Sequence, residues 1–129
     1  MKKLAVFLFT VCVLGILTSS AHAIPAVAKI WLEDAYAKSP VIEVAKEAQC
    51  NVCHYGPSKK DRNDYGVALS KTGVTMKNYN ALKGDQEKLT IILKAMFKKA
   101  EGLKSVSGKT FGELIKAGEL PGTAPEGED

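Results

Sequence analysis

The chain has 129 residues, of which 46% are hydrophobic and 25% are charged, and its formal net charge is +4. This length suits a single domain. The basic bias is mild and is not interleaved with aromatic residues, which argues against a nucleic-acid-binding surface but is compatible with docking to acidic proteins.

Residues 1–23 have the three parts of a secretory signal peptide. Two lysines follow the initiator methionine, an apolar run covers residues 4–17, and Ala21-His22-Ala23 ends the segment with small residues at the cleavage positions. The apolar run is shorter than the ~18 residues that a membrane span needs. Cys12 within it lacks the small-residue context of a lipoprotein cleavage site. We therefore expect cleavage after Ala23, an exported or periplasmic mature chain and no stable membrane span.

The mature chain begins with two segments of helical patterning. Apolar residues recur at helical spacing within residues 26–38, which predicts an amphipathic helix. The only tryptophan, Trp31, is expected to pack in the core rather than to contact a ligand. Ser39-Pro40 then starts a second helix, because serine favours the N-cap and proline the first turn. Its apolar residues continue at a spacing of three to four up to Ala48.

The second helix leads directly into Cys50-Asn51-Val52-Cys53-His54, a C-x-x-C-H motif. This motif is typical of covalent attachment of a c-type haem. Each thiol forms a thioether to one vinyl group, and the imidazole lies beneath the iron as its proximal ligand. The motif is predicted on the last turn of the helix and just beyond it, so that the helix fixes these side chains before the haem binds. One haem c is therefore expected at Cys50, Cys53 and His54.

Three other uses of the motif remain open. A structural zinc site needs four Cys or His ligands, whereas the chain has three Cys and two His, of which Cys12 and His22 leave with the signal peptide. A thioredoxin-like redox pair is expected near a βαβ unit, and no convincing strand precedes this motif. A plain disulfide is common in exported proteins, but it leaves His54 without a role.

The residues after the motif predict a turn and a charged loop. Residues 55–58 are Tyr-Gly-Pro-Ser, which favours a turn, and Lys59-Lys60-Asp61-Arg62 follows. We expect this loop to be solvated surface. The alternative is that its cations border an exposed haem edge or neutralise a haem propionate, and steer a redox partner.

Two further helices, separated by a predicted loop, follow the charged loop. Asn63 caps a helix over residues 64–72 that ends at Gly73. Residues 74–82 are predicted as a loop. Asp85 caps the longest helix, over residues 86–101, and its apolar stripe is expected to form the main wall of the haem pocket. That stripe consists of Leu89, Ile92, Leu93, Met96 and Ala100.

The last helix and the tail complete the predicted domain. Thr110-Phe111-Gly112-Glu113 matches the capping box that starts a helix, and Gly118 ends that helix. Residues 121–129 are rich in glycine and proline and end in three acids, which predicts a disordered acidic tail. No stretch alternates with period two. The predicted fold is all-α, with about four or five short helices around one covalently attached haem in residues 24–120.

These residues give the chain a resemblance to small exported monohaem c-type cytochromes, broadly of the class I kind. The resemblance rests on Cys50-x-x-Cys53-His54 after a helix, with the phrases Arg62-Asn63-Asp64-Tyr65-Gly66 and residues 110–118 as weaker support. It spans most of the mature chain, although only C-x-x-C-H is specific. It implies two thioether attachments, a proximal His54 and electron transfer with exported redox proteins through transient docking.

The distal ligand is where the chain departs from that family. Class I proteins have a distal methionine in a loop, often beside proline, and no methionine here has a proline neighbour. Met76 lies in the predicted loop but close to His54 in sequence. Met96 is farther along at a more class-like interval, yet it belongs to a helical apolar stripe, which favours core packing. Met76 is the predicted distal ligand and Met96 the alternative; a lysine, a water or an empty position remains open.

The distal ligand decides between two functions. With a firm sixth ligand, the protein is expected to be an electron carrier and not an enzyme, because the only mature histidine is the proximal ligand and no carboxylate pair stands out. With a vacant or weakly held distal site, it would instead bind a diatomic gas such as carbon monoxide or nitric oxide, as a sensor or scavenger. A periplasmic dithiol protein without haem is the third possibility.

Overall fold

A computed structural model describes residues 24–127, so the predicted signal peptide lies outside the described residues. Of the described residues, 57% are helical and 6% are in strands. The prediction of a mainly helical fold is confirmed, with six α-helices and one small antiparallel hairpin rather than four or five helices alone. In this part of the chain, none of the helices combines the length and the apolar character that crossing a membrane requires.

The predicted first helix is shorter than expected and changes its winding. Helix α1 covers Pro25–Ile30, with proline in its first turn, and continues as a π-helical turn over Trp31–Ala35. The π turn adds one residue to the local repeat. It ends at Tyr36, where the backbone N–H donates to the carbonyl of Trp31 at 3.0 Å.

Helix α2 covers Ile42–Ala48 and passes into a 3₁₀ turn over Gln49–Val52. Gln49 has a φ of +50°, which turns the chain sharply between the helix and the motif. The motif therefore begins on a separate 3₁₀ turn rather than on the last turn of the helix, where it was predicted, and its last residue starts a strand. Strand β1, His54–Tyr55, pairs antiparallel with strand β2, Asp61–Arg62. Strands of two residues are too short to produce a period-two pattern, so the sequence did not predict them.

Helix α3 covers Asp64–Lys71 and begins as predicted, with the side chain of Asn63 accepting from the Gly66 N–H. The prediction of a loop over residues 74–82 is wrong, because helix α4 covers Met76–Leu82. Its N-cap is Thr75, whose hydroxyl accepts from the Asn78 N–H at 3.2 Å. None of its residues is fully buried, and its contact with the core comes from the partly buried Tyr79 and Leu82, so its apolar face is short.

Helix α5 covers Gln86–Glu101 and is capped by Asp85, and helix α6 covers Phe111–Lys116 with the predicted Thr110–Glu113 capping box. The core forms where α5 packs against α1, α3 and α6. Phe97 is buried there although the predicted stripe omitted it, whereas Ile92 and Met96 are only half-buried. The largest fully buried side chains are Tyr65, Phe97, Phe111, Leu89, Val41 and Pro121.

Packing continues beyond the boundary predicted at residue 120. Pro121 is buried, and the Thr123 N–H donates to the Asp64 Oδ1 at 2.7 Å. The same carboxylate accepts from the Val106 N–H through Oδ2 at 3.0 Å. Asp64 therefore joins the N-terminus of α3 to two segments that lie far along the chain. The division into signal peptide, domain and disordered tail otherwise stays a prediction.

Candidate functional site

A largely apolar cavity of about 290 Å³ lies between α1, the 3₁₀ turn, α3 and the start of α4. Its volume is near the lower end of the ~300–1,000 Å³ that ligand pockets usually have. Cys50 and Met76, both exposed, show that one side of the cavity opens to solvent. The cavity is lined by Ile24, Val27, Ala28, Trp31, Leu32, Gln49, Cys50, Val52, Cys53, His54, Arg62, Gly66, Leu69, Val74, Thr75 and Met76.

All three chemically active residues of the motif line this cavity. Cys50 lies on the 3₁₀ turn and is exposed, whereas Cys53 is half-buried, and both are free thiols. Burial, and secondarily the neighbouring Cys50, raises the pKa of the Cys53 thiol to about 12, so this thiol is neutral at physiological pH. His54 follows at the start of β1. The motif thus presents two thiols and one imidazole to the same space.

The backbone of the motif is held by the start of α3. The Asn63 N–H donates to the Cys53 carbonyl at 2.9 Å. The buried Asn63 side chain donates to the Val52 carbonyl at 3.1 Å while it accepts from the Gly66 N–H at 2.9 Å. A Cβ at Gly66 would collide with the Cys53 carbonyl oxygen, so only glycine permits this approach. Through these contacts, Asn63 and Gly66 hold the backbone of the motif in place, although the motif ends nine residues before Asn63.

The His54 ring is oriented by the hairpin. Its Nδ1 lies 3.2 Å from the carbonyl oxygen of Asp61. Because a carbonyl oxygen only accepts, this contact places the proton on Nδ1 and leaves the lone pair on Nε2. Burial lowers the pKa of His54, the Asp61 carbonyl opposes that effect, and the positive charges of Arg62 and Lys59 lower the pKa further. The lowered pKa favours the neutral form of the ring, which is the form that binds metal ions.

Trp31 belongs to both the core and the cavity. It is 3% exposed, as the prediction of core packing requires, and its indole also lines the cavity. Its Nε1–H donates to the Tyr65 hydroxyl at 2.8 Å. Tyr65 is completely buried, and burial raises its pKa well above the ordinary value. This bond fixes the indole as a rigid wall.

The expectation that α5 forms the main wall is wrong for this cavity. Within residues 24–127, the lining comes from α1, the π and 3₁₀ turns, the hairpin, α3 and residues 74–76, and α5 packs behind them. The periodicity of α5 showed that one face is buried, but a period does not tell which element lies against that face.

The two candidate methionines occupy different places. Met76, the first residue of α4, lines the cavity and is 42% exposed. Met96 is absent from the lining among the described residues, and its end packs against Gly73, where an added Cβ would lie 2.9 Å from the Met96 Cε. Of these two candidates, Met76 alone shares this cavity with His54. The sequence favoured Met76 because Met96 belongs to a helical apolar stripe, but it predicted Met76 in a loop rather than at the start of a helix.

The charged loop divides between two surfaces. Of its residues, Arg62 lines the cavity, whereas Lys59 borders a separate groove on the other side of His54. Sequence reasoning named Arg62 only as one of several loop cations that could border a haem edge, and it did not name Leu69 or Thr75 as lining residues. The available signal for Arg62 was its position beside Asn63, which is the cap that anchors α3 to the motif.

In residues 24–127, no group of three or more His, Cys, Asp or Glu side chains is arranged to hold a metal ion. Comparison with known proteins gives no match to a family model, a curated protein or a solved structure.

Proposed function

We propose that this protein is an exported electron-transfer protein that carries one haem c, attached through Cys50 and Cys53 and ligated on the proximal side by His54. The observation that carries the proposal is that both thiols and the imidazole line one apolar cavity, which the thioether of Met76 also lines. The fold we propose is accordingly a small cytochrome c-like helical domain.

The side chains around the cavity fit such a group. Thiols three residues apart on a helical turn suit attachment to two vinyl groups, and an imidazole next to them suits the proximal position. The carbonyl of Asp61 keeps the His54 proton on Nδ1, which orients the ring and increases the basicity of Nε2. When bound, the haem would supply a one-electron couple.

The surrounding residues support electron transfer rather than catalysis. Trp31, Val27 and Leu69 would exclude water from most of the ring, while the exposed Cys50 and Met76 leave one side open. An open edge shortens the distance to a redox partner, and partner interfaces of this kind are small and short-lived, below ~1,200 Å². With the sole mature imidazole used as a ligand, we propose no acid–base role and hence no enzymatic activity.

The proposal is tested by the exported mature protein, produced together with haem-attachment machinery. We expect a red protein whose mass exceeds that of the polypeptide by one haem, and which keeps its haem in acidified acetone. In the double variant Cys50→Ala/Cys53→Ala, no covalent haem should remain, because no thioether can form. Asn51→Ala, which changes an exposed residue between the cysteines, should retain it. A colourless parent of unmodified mass would contradict the proposal and favour a dithiol protein or a disulfide.

The exposure of Met76 gives a second candidate function some support. A ligand at the first turn of a helix with no buried residue is held less firmly than one from the core, as a gas-binding protein with a weak or vacant distal site would require. Such a protein would bind carbon monoxide or nitric oxide at the distal position.

Carbon monoxide binding to the reduced protein separates the two functions. With a firm Met76 ligand, the parent should bind the gas slowly or not at all, Met76→Ala should bind it promptly, and Met96→Ala should behave as the parent does. The oxidised form should also lose its iron–methionine charge-transfer band only in Met76→Ala. Prompt binding by the parent at neutral pH would instead favour the gas-binding function.

A further inference from the structure

One charged side chain lines the cavity. Among the described lining residues, Arg62 alone carries a permanent charge, and the rest are apolar or neutral. Arg62 is exposed, so its guanidinium lies at the open side rather than deep in the cavity. A guanidinium beside an apolar cavity is suited to a bound molecule that is apolar over most of its surface and anionic at one end.

The hairpin fixes Arg62 relative to the motif. In the antiparallel pair of β1 and β2, Arg62 lies directly opposite His54. Side chains of directly opposed residues project from the same face of a ladder, with Cβ atoms about 4.5–5.5 Å apart. Arg62 and the imidazole therefore face the cavity together, and the register of a two-residue ladder determines their spacing.

The guanidinium is oriented but not neutralised. Its Nη1–H donates to the Ser70 Oγ at 3.3 Å, which directs the planar group along α3. The ion pairs of the described residues involve Lys46, Lys94, Lys98 and Lys109, and none includes Arg62. Since an arginine presents five N–H donors, most of them remain for a ligand.

We propose that Arg62 binds a carboxylate of the molecule that occupies the cavity, which, given the function proposed above, is a propionate of the haem. Two parallel N–H···O bonds from one guanidinium match the two oxygens of a carboxylate, and such charge-assisted bonds are stronger than neutral ones. This inference rests on the proposed haem. It distinguishes Arg62 from the nearby Lys59 and Lys60, which belong to the same loop but do not line the cavity.

The contact has a consequence for the reduction potential. A positive charge near the iron disfavours the oxidised form, and a carboxylate paired with a cation stays ionised through the neutral range. Without Arg62, the oxidised form gains stability and the carboxyl, left in apolar surroundings, titrates between about pH 5 and 8. Its protonation then becomes coupled to reduction of the iron.

The test is spectroelectrochemical titration of the haem-loaded protein over that pH range in the parent, Arg62→Gln, Arg62→Lys and Lys60→Gln. Lys60→Gln removes the same charge from the same loop outside the cavity lining. We expect a parent potential that is flat with pH, and a lower potential that falls as pH rises in Arg62→Gln. Arg62→Lys should show a smaller shift, since it keeps the charge but loses the paired geometry. Lys60→Gln should follow the parent.

The outcomes separate the two proposals. A mass without covalent haem in the parent overturns the proposed function and this inference together. Haem-loaded protein in which Arg62→Gln matches Lys60→Gln at every pH overturns the role of Arg62 alone. If Arg62→Gln loads too little haem to measure, the comparison of Arg62→Lys with the parent decides, and identical pH profiles for these two overturn the inference.

Discussion

Gly66→Ala is expected to destabilise the protein by about 2–4 kcal/mol. The new Cβ would collide with the backbone carbonyl of Cys53 and lie 3.1 Å from the Cβ of Arg62. Overpacking against fixed neighbours costs about 1–3 kcal/mol. The Cys53 carbonyl cannot move aside without losing its bond from the Asn63 N–H, worth about 1 kcal/mol. We therefore expect α3 to separate from the motif and the yield of haem-loaded protein to fall sharply.

Gly84→Ala is the matched control, because a Cβ there meets nothing within 4 Å. Alanine at such a position restricts the unfolded chain and should change stability by no more than about 1 kcal/mol, in the stabilising direction. Urea unfolding followed by circular dichroism measures both variants, and covalent haem per polypeptide measures loading. Equal midpoints and equal loading in the two variants would contradict the close approach of α3 to the motif.

Asn63→Ala is expected to cost about 2–4 kcal/mol. Asn63 is 2% exposed and serves two structures at once, as N-cap of α3 and as donor to the Val52 carbonyl. Loss of the cap costs about 1 kcal/mol, and leaving buried polar groups without partners costs a further ~1–3 kcal/mol. Denaturant midpoints measure the total effect.

Two further variants separate the roles of Asn63. Asn63→Asp keeps the oxygen that accepts from Gly66 but replaces the amide donor with a second oxygen facing the Val52 carbonyl, so it should remain well below the parent in stability. Thr75→Ala removes the equivalent cap of α4, a helix without buried residues, and should cost only about 1 kcal/mol. If Asn63→Ala loses no more than Thr75→Ala, Asn63 is a cap and nothing more.

The helices that were predicted correctly are marked by sequence signals within a few residues of their first turn. Helices α3, α5 and α6 each begin at a capping side chain. The side-chain oxygens of Asn63, Asp85 and Thr110 accept from backbone N–H groups three positions ahead. Helix α4 also has such a cap in Thr75, but its apolar face is limited to residues such as Tyr79 and Leu82, which are only partly buried. For α4, the N-cap residue Thr75 indicated the helix better than the spacing of its apolar residues did.

The same distinction between local and tertiary signals applies to the residues of the candidate site. Cys50, Cys53 and His54 lie within five consecutive residues, so the sequence alone could indicate that they are close together. The other lining groups reach the cavity through tertiary structure: Trp31 through its bond to Tyr65, and Arg62 through the ladder register with His54. The apolar periodicity of α5 shows that one of its faces is buried. It does not show which elements pack against that face, so it could not tell whether α5 lines the cavity.

The hairpin between the motif and α3 is closed at its base, by the β1–β2 pairs and by the bond from the Asn63 N–H to the Cys53 carbonyl. What lies at the tip, residues 56–60, is therefore decoupled from the geometry of the cavity. Each doubling of a loop's length costs only about 0.6 kcal/mol in closure entropy. Lineages descended from a common ancestor can then gain or lose residues at this tip while the cysteines, the imidazole and the arginine keep their mutual positions.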